Sequence, residues 1–116
     1  MFKKEKSFTK RLQKSNELRA KYPNRCPVIC EKSFPEYDPR KTLVKSKYLV
    51  LLDFTFGEFI YKIRQQLTLP SHMAIFFFIN NSILPSANAR FSTLYDSYKE
   101  SDGFLYLTYT GENIFG

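Results

Sequence analysis

Tryptophan is absent, histidine occurs once, cysteine twice and glycine four times in this chain of 116 residues. Four scattered glycines form no glycine-rich phosphate loop. His72, Cys26 and Cys30 together fall short of the four nitrogen or sulfur ligands of a structural zinc site, so no metal is expected. Nor do they assemble a Ser-His-Asp or Cys-His pairing with any named partner. His72 follows Pro70-Ser71 and is expected in an exposed loop. Cys26 and Cys30 stand four apart in CPVIC, a run that reads as a strand. In an extended chain their Cα atoms lie roughly 13 Å apart, beyond the reach of a disulfide. They are expected as small buried apolar residues. Long apolar runs are also missing. The longest, Met73 to Ile79, has seven residues, against the roughly 20 that span a bilayer as a helix. The charged N-terminus has no apolar stretch behind it, so no secretory signal is expected and the chain should act in the cytosol or nucleus.

What the chain does hold is rings and an uneven charge. Twelve Phe and eight Tyr, within a hydrophobic content of 43%, are too apolar for a disordered chain and imply a ring-filled core in one domain. Residues 1–25 carry nine basic side chains and two acidic ones, while the other 91 residues carry nine of each. The net charge of +7 therefore sits on the N-terminal arm. Such an arm suits nucleic-acid or lipid phosphates, with Phe2 and Phe8 as apolar contacts, or acidic partner segments; a solvated helix face is the plain alternative.

Hydrophobic spacing predicts the elements. Phe8, Leu12, Leu18 and Tyr22 make residues 1–22 helical, and Pro23 stops them. Cys26 to Lys32 reads as a strand, Ser33 to Thr42 as a loop with Pro35 and Pro39, and Lys45 to Leu52 as a second strand. Thr55 with Glu58 forms a capping-box pattern before the stripe Phe56, Phe59, Ile60, Ile63 and Leu67. Ile75 to Ile79 reads as a strand buried on both faces, followed by a turn at Asn80-Asn81. Phe91, Leu94, Tyr95 and Tyr98 suggest a short helix ending near Asp102-Gly103. Phe104 to Tyr109 alternates as a last strand, and Thr110 to Gly116 is expected as a mobile tail. The order ββαβαβ behind a helical arm predicts an α+β fold, a ubiquitin-like β-grasp in which one helix crosses a four-stranded mixed sheet. The expected divisions are a basic helical extension over 1–25, the β-grasp domain over 26–110 and a flexible C-terminal tail over 111–116.

Four blocks, KYPNRCPVICEK (21–32), KYLV followed by DFTFGEFIYKIR (47–64), AIFFFINN (74–81) and DGFLYLTYTGENIFG (102–116), carry a resemblance. The chain resembles the autophagy-related ubiquitin-like modifiers, the group that includes GABA-receptor-associated protein and light chain 3, along essentially its whole length. The resemblance implies an adaptor and tag, not an enzyme, with a two-helix N-terminal extension and no cofactor. It implies activation of Gly116 as a thioester and transfer to phosphatidylethanolamine on autophagic membranes, where the protein recruits cargo receptors. A terminal glycine, lacking Cβ, suits a narrow enzyme channel. Gly116 is either the end as made or an end exposed by processing. The implied partners are receptor peptides, the activating and conjugating enzymes, a deconjugating cysteine protease and the membrane itself, with no nucleic acid. The implied location is the cytoplasm, and the autophagosome membrane once lipidated. An unconjugated adaptor that binds the same peptides is the alternative.

The resemblance also implies that the second strand is an edge that pairs with a short aromatic-x-x-aliphatic peptide. Leu18, Pro27, Lys47, Leu49 and Phe104 would hold the aromatic side chain. Tyr48, Val50, Leu51, Phe54 and Phe59 would hold the aliphatic one, with Lys62 at the rim. Arg25, Lys45, Lys47 and Arg64 would meet acidic flanks. For Leu49, Phe59 and Phe104 a core role is expected beside the contact role. Phe76 and Phe78 match positions used by the processing and conjugating enzymes, with core packing as the equal alternative. The chain departs from the family at Leu51, usually Pro, at Lys62, usually aliphatic, and at Lys14, often acidic. Its basic run after the central helix shrinks to Arg64-Gln65-Gln66. These departures bear on peptide preference, not on the mode of binding.

Overall fold

A computed structural model describes residues 1–32, 45–67 and 74–111. The expected loop at Ser33 to Thr42, His72 and Gly116 lie outside the described residues. The elements are α1 (Phe2–Glu5), α2 (Phe8–Lys21), β1 (Arg25–Lys32), β2 (Lys47–Leu51), α3 (Phe56–Gln66), β3 (Ile75–Ile79), α4 (Phe91–Tyr98) and β4 (Leu105–Gly111).

The strands form one mixed sheet in the order β2-β1-β4-β3. β1 and β4 run parallel at the centre, and β2 and β3 flank them antiparallel. This is the β-grasp arrangement that the element order predicts. Side chains alternate across a strand, so each strand feeds two layers. Cys26, Val28 and Cys30 on β1 and Leu105, Leu107 and Tyr109 on β4 face α3 and α4. There Phe56, Phe59, Phe77 and Phe91 form a ring cluster, with Phe59 and Phe91 centroids 5.2 Å apart. Ile29, Phe104 and Tyr106 face the other way, against Phe2 and Leu18 of the N-terminal helices. The core is therefore two clusters on the two faces of one sheet.

Local chemistry sets the element ends. Thr55 caps α3 and Glu58 returns the bond to the Thr55 amide, completing the expected capping box. These bonds, the backbone one first, hold the Glu58 carboxyl below its usual range. Asn80 and Asn81 both adopt positive φ, 53° and 65°, which asparagine tolerates better than most residues.

The fold corrects the sequence reading in three places. Residues 1–22 are not the one helix that their spacing predicts but the two helices that the resemblance implies. Lys6 is extended and Ser7 caps a new helix by accepting from the Lys10 amide. Phe2 is buried rather than free on an arm. β3 is not covered on both faces: it is an edge strand, and Phe76 is 38% exposed while Phe77 enters the core. The last strand runs on to Gly111, with Thr110 opposite Phe76 and Gly111 opposite Ile75, so the tail begins later than expected. The two cysteines are free and buried. Burial pushes the Cys26 thiol up to about 12 and raises that of Cys30 further.

Candidate functional site

Among the described residues β2 pairs with β1 alone, so no described strand covers its other side. The hydrogen bonds at its ends fix which backbone groups are open. The Leu52 amide donates to Asn24 and the Cys30 amide to the Ser46 carbonyl. In an antiparallel ladder bonded and non-bonded pairs alternate, so residues 46, 48, 50 and 52 turn their backbone groups towards β1. Lys47, Leu49 and Leu51 turn theirs to the open side. The Arg25 guanidinium reaches across and donates to the Leu49 carbonyl at 3.1 Å. Arg25 also borders a second cleft of about 390 Å³ with Arg19, Tyr95 and Asp96.

Between α2 and β2 lies a cavity of about 860 Å³. Leu18, Leu49, Phe104 and Phe2 give it apolar lining. Lys6, Lys10 and Lys14 from α2 and its approach, with Lys45 and Lys47 across from them, give it a basic rim interrupted by Glu17. The Lys45 ammonium lies 4.9 Å from the Tyr48 ring centroid and that of Lys47 5.4 Å from the Phe2 centroid. Of the residues expected to hold an aromatic side chain, the cavity collects Leu18, Lys47, Leu49 and Phe104. Pro27 lies on the same face, opposite Leu49, but is fully buried and does not border it. Phe104 is only 2% exposed, so its surface there is small.

The second set is divided. Val50 and Phe59 are core residues. Tyr48 stands edge-on to Phe59, centroids 5.7 Å apart, and its phenol oxygen lies 3.1 Å from the Lys45 carbonyl and 3.2 Å from Gln66 Oε1, two acceptors between which its one proton is shared. Burial raises the Tyr48 phenol pKa well above its ordinary value. Leu51 and Phe54 are half-buried. Lys62 is exposed and carries its ammonium 5.0 Å from the Phe54 ring centroid. Arg64 is half-buried on the same helix. Exposed side-chain surface in this set comes from Tyr48, Leu51, Phe54 and Lys62, not from Val50 or Phe59.

Phe76 and Phe78 sit on β3, at the far edge of the sheet from β2. Phe78 is half-buried beside the exposed Phe76, and both alternate away from the buried Phe77 and Ile79. Among the described residues no cluster of three or more His, Cys, Asp or Glu could hold a metal ion.

Sequence reasoning missed two things. Phe2 lines the cavity, yet a lone ring near the N-terminus belongs to no periodic pattern. Asp102, read only as a helix end, is 1% exposed and anchors the cavity wall. Its Oδ2 accepts from Arg11 at 2.6 Å and from the Tyr106 hydroxyl at 2.5 Å, while Oδ1 accepts from the Phe104 amide. Ser15 donates to the Asp102 carbonyl. Burial first, and then the bond to Asp102, raises the Tyr106 phenol pKa. This network pins α2 to the turn before β4 and so fixes Leu18 and Lys14 opposite β2.

Comparison with known proteins bears on this groove. A family model described as "Autophagy protein Atg8 ubiquitin like" matches residues 10–116. Autophagy-related protein 8 of Schizosaccharomyces pombe is 49% identical over 115 residues, covering 99% of this chain and 93% of that protein. That of Mycosarcoma maydis is 47% identical over 115 residues, covering 99% and 95%. The crystal structure of Trypanosoma brucei ATG8 superimposes with a TM-score of 0.85 at 36% identity, covering 99% of this chain and 97% of that one. A Plasmodium falciparum Atg8, solved in complex with a Plasmodium falciparum Atg3 peptide, gives 0.81 at 33% identity, covering 95% and 94%.

Proposed function

We propose that this chain, which belongs to the Atg8 family of ubiquitin-like autophagy proteins, is a lipid-conjugated tag that captures short peptides along β2. Members of the family are modifiers and adaptors rather than enzymes. In this reading the basic extension precedes β1, the β-grasp body runs from Arg25 to Gly111, and 112–116 is the conjugation tail. Gly116 is joined to phosphatidylethanolamine, and the activating, conjugating and deconjugating enzymes act on that tail. No described helix is long and apolar enough to cross a membrane, so the covalent lipid supplies the anchor at the autophagosome.

The observation that carries the reading is the juxtaposition of an open strand edge with a basic-rimmed apolar cavity. A peptide strand would pair with the backbone of Lys47, Leu49 and Leu51, and its aromatic side chain would enter between Leu18, Leu49 and Phe104. Its aliphatic side chain, three residues on, would lie against Tyr48, Leu51 and Phe54. Arg25, now on the Leu49 carbonyl, would exchange that bond for a peptide carboxylate. Lys45 and Lys47 would meet acidic residues before the aromatic anchor, and Arg64 those after it. The peptide held by the Plasmodium Atg8 comes from another autophagy protein, which favours receptor and conjugating-enzyme segments as ligands.

Calorimetry with an aromatic-x-x-aliphatic peptide tests the groove. Tyr48→Ala with Leu49→Ala should weaken binding more than tenfold, about 2 kcal/mol, with the fold retained by circular dichroism. Unchanged affinity would place the peptide elsewhere. A reconstituted conjugation reaction tests the tag separately, since Gly116→Ala should lose the lipidated band.

A further inference from the structure

Phe2 is 3% exposed, while Met1 and residues 3–6 around it are exposed. Its ring stands edge-on to Phe104 with centroids 5.0 Å apart, and the Lys47 ammonium lies over it. Phe104 and Lys47 are two of the groups that would receive a peptide's aromatic side chain. A ring that reaches for them meets Phe2 already there. We propose that Phe2 is a tethered occupant of the aromatic subsite, and that a peptide ring enters by displacing it. This proposal rests on the peptide-groove reading.

Displacement is open to this segment because, among the described residues, little else holds it. α1 has four residues, far below the length at which a helix is stable alone. Beyond the Phe2 ring, its ties to the body among the described residues are the Phe2 amide on Glu31 at 2.9 Å and Lys3, which pairs with Glu100 at 2.5 Å and lies over the Tyr106 ring. The Lys3–Glu100 pair is partly solvated, with side chains 45% and 32% exposed. Lys6, extended between two helices, is the joint about which α1 can swing. Burying one phenyl ring favours the held state, and ordering several residues opposes it by a comparable amount. A tethered ring competes at high effective concentration, so the observed affinity for a peptide falls by the fraction of molecules in which the subsite is vacated. The device would make the groove selective. A peptide that lacks an aromatic anchor cannot replace the contacts that Phe2 gives up.

The test titrates one aromatic-x-x-aliphatic peptide, and its aromatic→Ala control, into the wild type, Phe2→Ala and Glu100→Gln. Phe2→Ala should bind the aromatic peptide about three- to tenfold more tightly and associate faster. Glu100→Gln, which frees Lys3 but keeps the ring, should move the affinity the same way by less. The control peptide should gain nothing. In the wild type, ring–ring nuclear Overhauser contacts between Phe2 and Phe104 should vanish at peptide saturation. Weaker or unchanged binding by Phe2→Ala, or contacts that persist at saturation, would make Phe2 a fixed wall and overturn the proposal. If Phe2→Ala does not fold, Glu100→Gln and the ring contacts decide. Failure of the aromatic peptide to bind any of the three proteins would instead overturn the groove reading, and this proposal with it.

Discussion

Two ion pairs of nearly equal length allow burial to be weighed against distance. Arg11 and Asp102 meet at 2.6 Å with side chains 13% and 1% exposed. Lys3 and Glu100 meet at 2.5 Å with side chains 45% and 32% exposed. Removing Lys3 should cost little, because solvent screens the pair and ordering two long side chains offsets most of its attraction. The expected loss in Lys3→Ala is below about 1 kcal/mol. Arg11→Met differs because it leaves a buried carboxylate behind. Breaking a fully buried pair costs about 3–5 kcal/mol. Here Asp102 keeps the Tyr106 hydroxyl and the Phe104 amide, and Arg11 is itself partly solvated. Those partners reduce the expected loss to about 2–3 kcal/mol. For a domain of this size that is a fall in Tm of roughly 8–15 °C. Tyr106→Phe should cost about 1.5–3 kcal/mol, since the lost bond goes to a charged acceptor. The double variant should cost more than the sum, because Asp102 then retains only the Phe104 amide and its own burial. Urea titration of the four variants and the wild type, followed by circular dichroism, measures each difference. A loss below 1 kcal/mol for Arg11→Met, equal to that for Lys3→Ala, would refute the reasoning, since burial would then not separate the two pairs.

Gly103 has φ of +85°, and a Cβ there would strike Ser15 Oγ, so Gly103→Ala should destabilise by about 1–3 kcal/mol; a thermal melt no lower than wild type would contradict this. Burial holds the Cys26 thiol protonated to about 12 against an ordinary value of 9.0, so its contribution to stability is intact below pH 9 and is lost as pH rises from 9 to 12. Cys26→Ala should therefore show a smaller fall in urea midpoint between pH 8 and pH 11 than the wild type, and the native thiols should resist alkylation at pH 8 until urea is added. Lys62 lies over Phe54 at the second subsite, so Lys62→Leu should tighten peptides with purely apolar anchors by about 0.5–1 kcal/mol and relax a preference for neighbouring acidic residues, as a peptide array at two salt concentrations would reveal.

The legible parts of the fold were those with a repeating signal. α3 announced itself through Thr55, Glu58 and a stripe at three-to-four spacing, and its observed cap and buried face follow those residues. β3 spans the run Ile75–Ile79 as read, but Phe76, Phe77 and Phe78 are the same letter, so their alternation between solvent and core leaves no trace in composition. The break at Lys6-Ser7 was hidden because Phe8 and Leu12 continue a helical pattern on one side only. Asp102 was illegible for another reason. Its partners stand 91, 87, 4 and 2 positions away, and a buried carboxylate is spelled like an exposed one. The groove residues came from resemblance to a family rather than from pattern. What resemblance does not supply is depth: Pro27 and Val50 match their positions yet lie in the interior, whereas the core role of Phe59 was expected.

The strand order gives one small sheet two separate edges, at which the peptide and enzyme contacts implied by the resemblance would not overlap. β2 and β3 are its two edges, with β1 and β4 between them. At about 4.8 Å per strand the edges lie roughly 14 Å apart. A peptide added beside β2 moves away from β3, so the surface at Phe76 and Phe78 stays clear of it. Side chains that far apart, with no shared partner, make contributions that add. The N-terminal helices break this symmetry. They cover the sheet face of Ile29, Phe104 and Tyr106, and Phe2 brings them to the β2 side. A shift of α1 would therefore be felt first at the β2 side, since among the described residues the ring contacts of Phe2 are with Phe104 and Tyr106 and none is with β3.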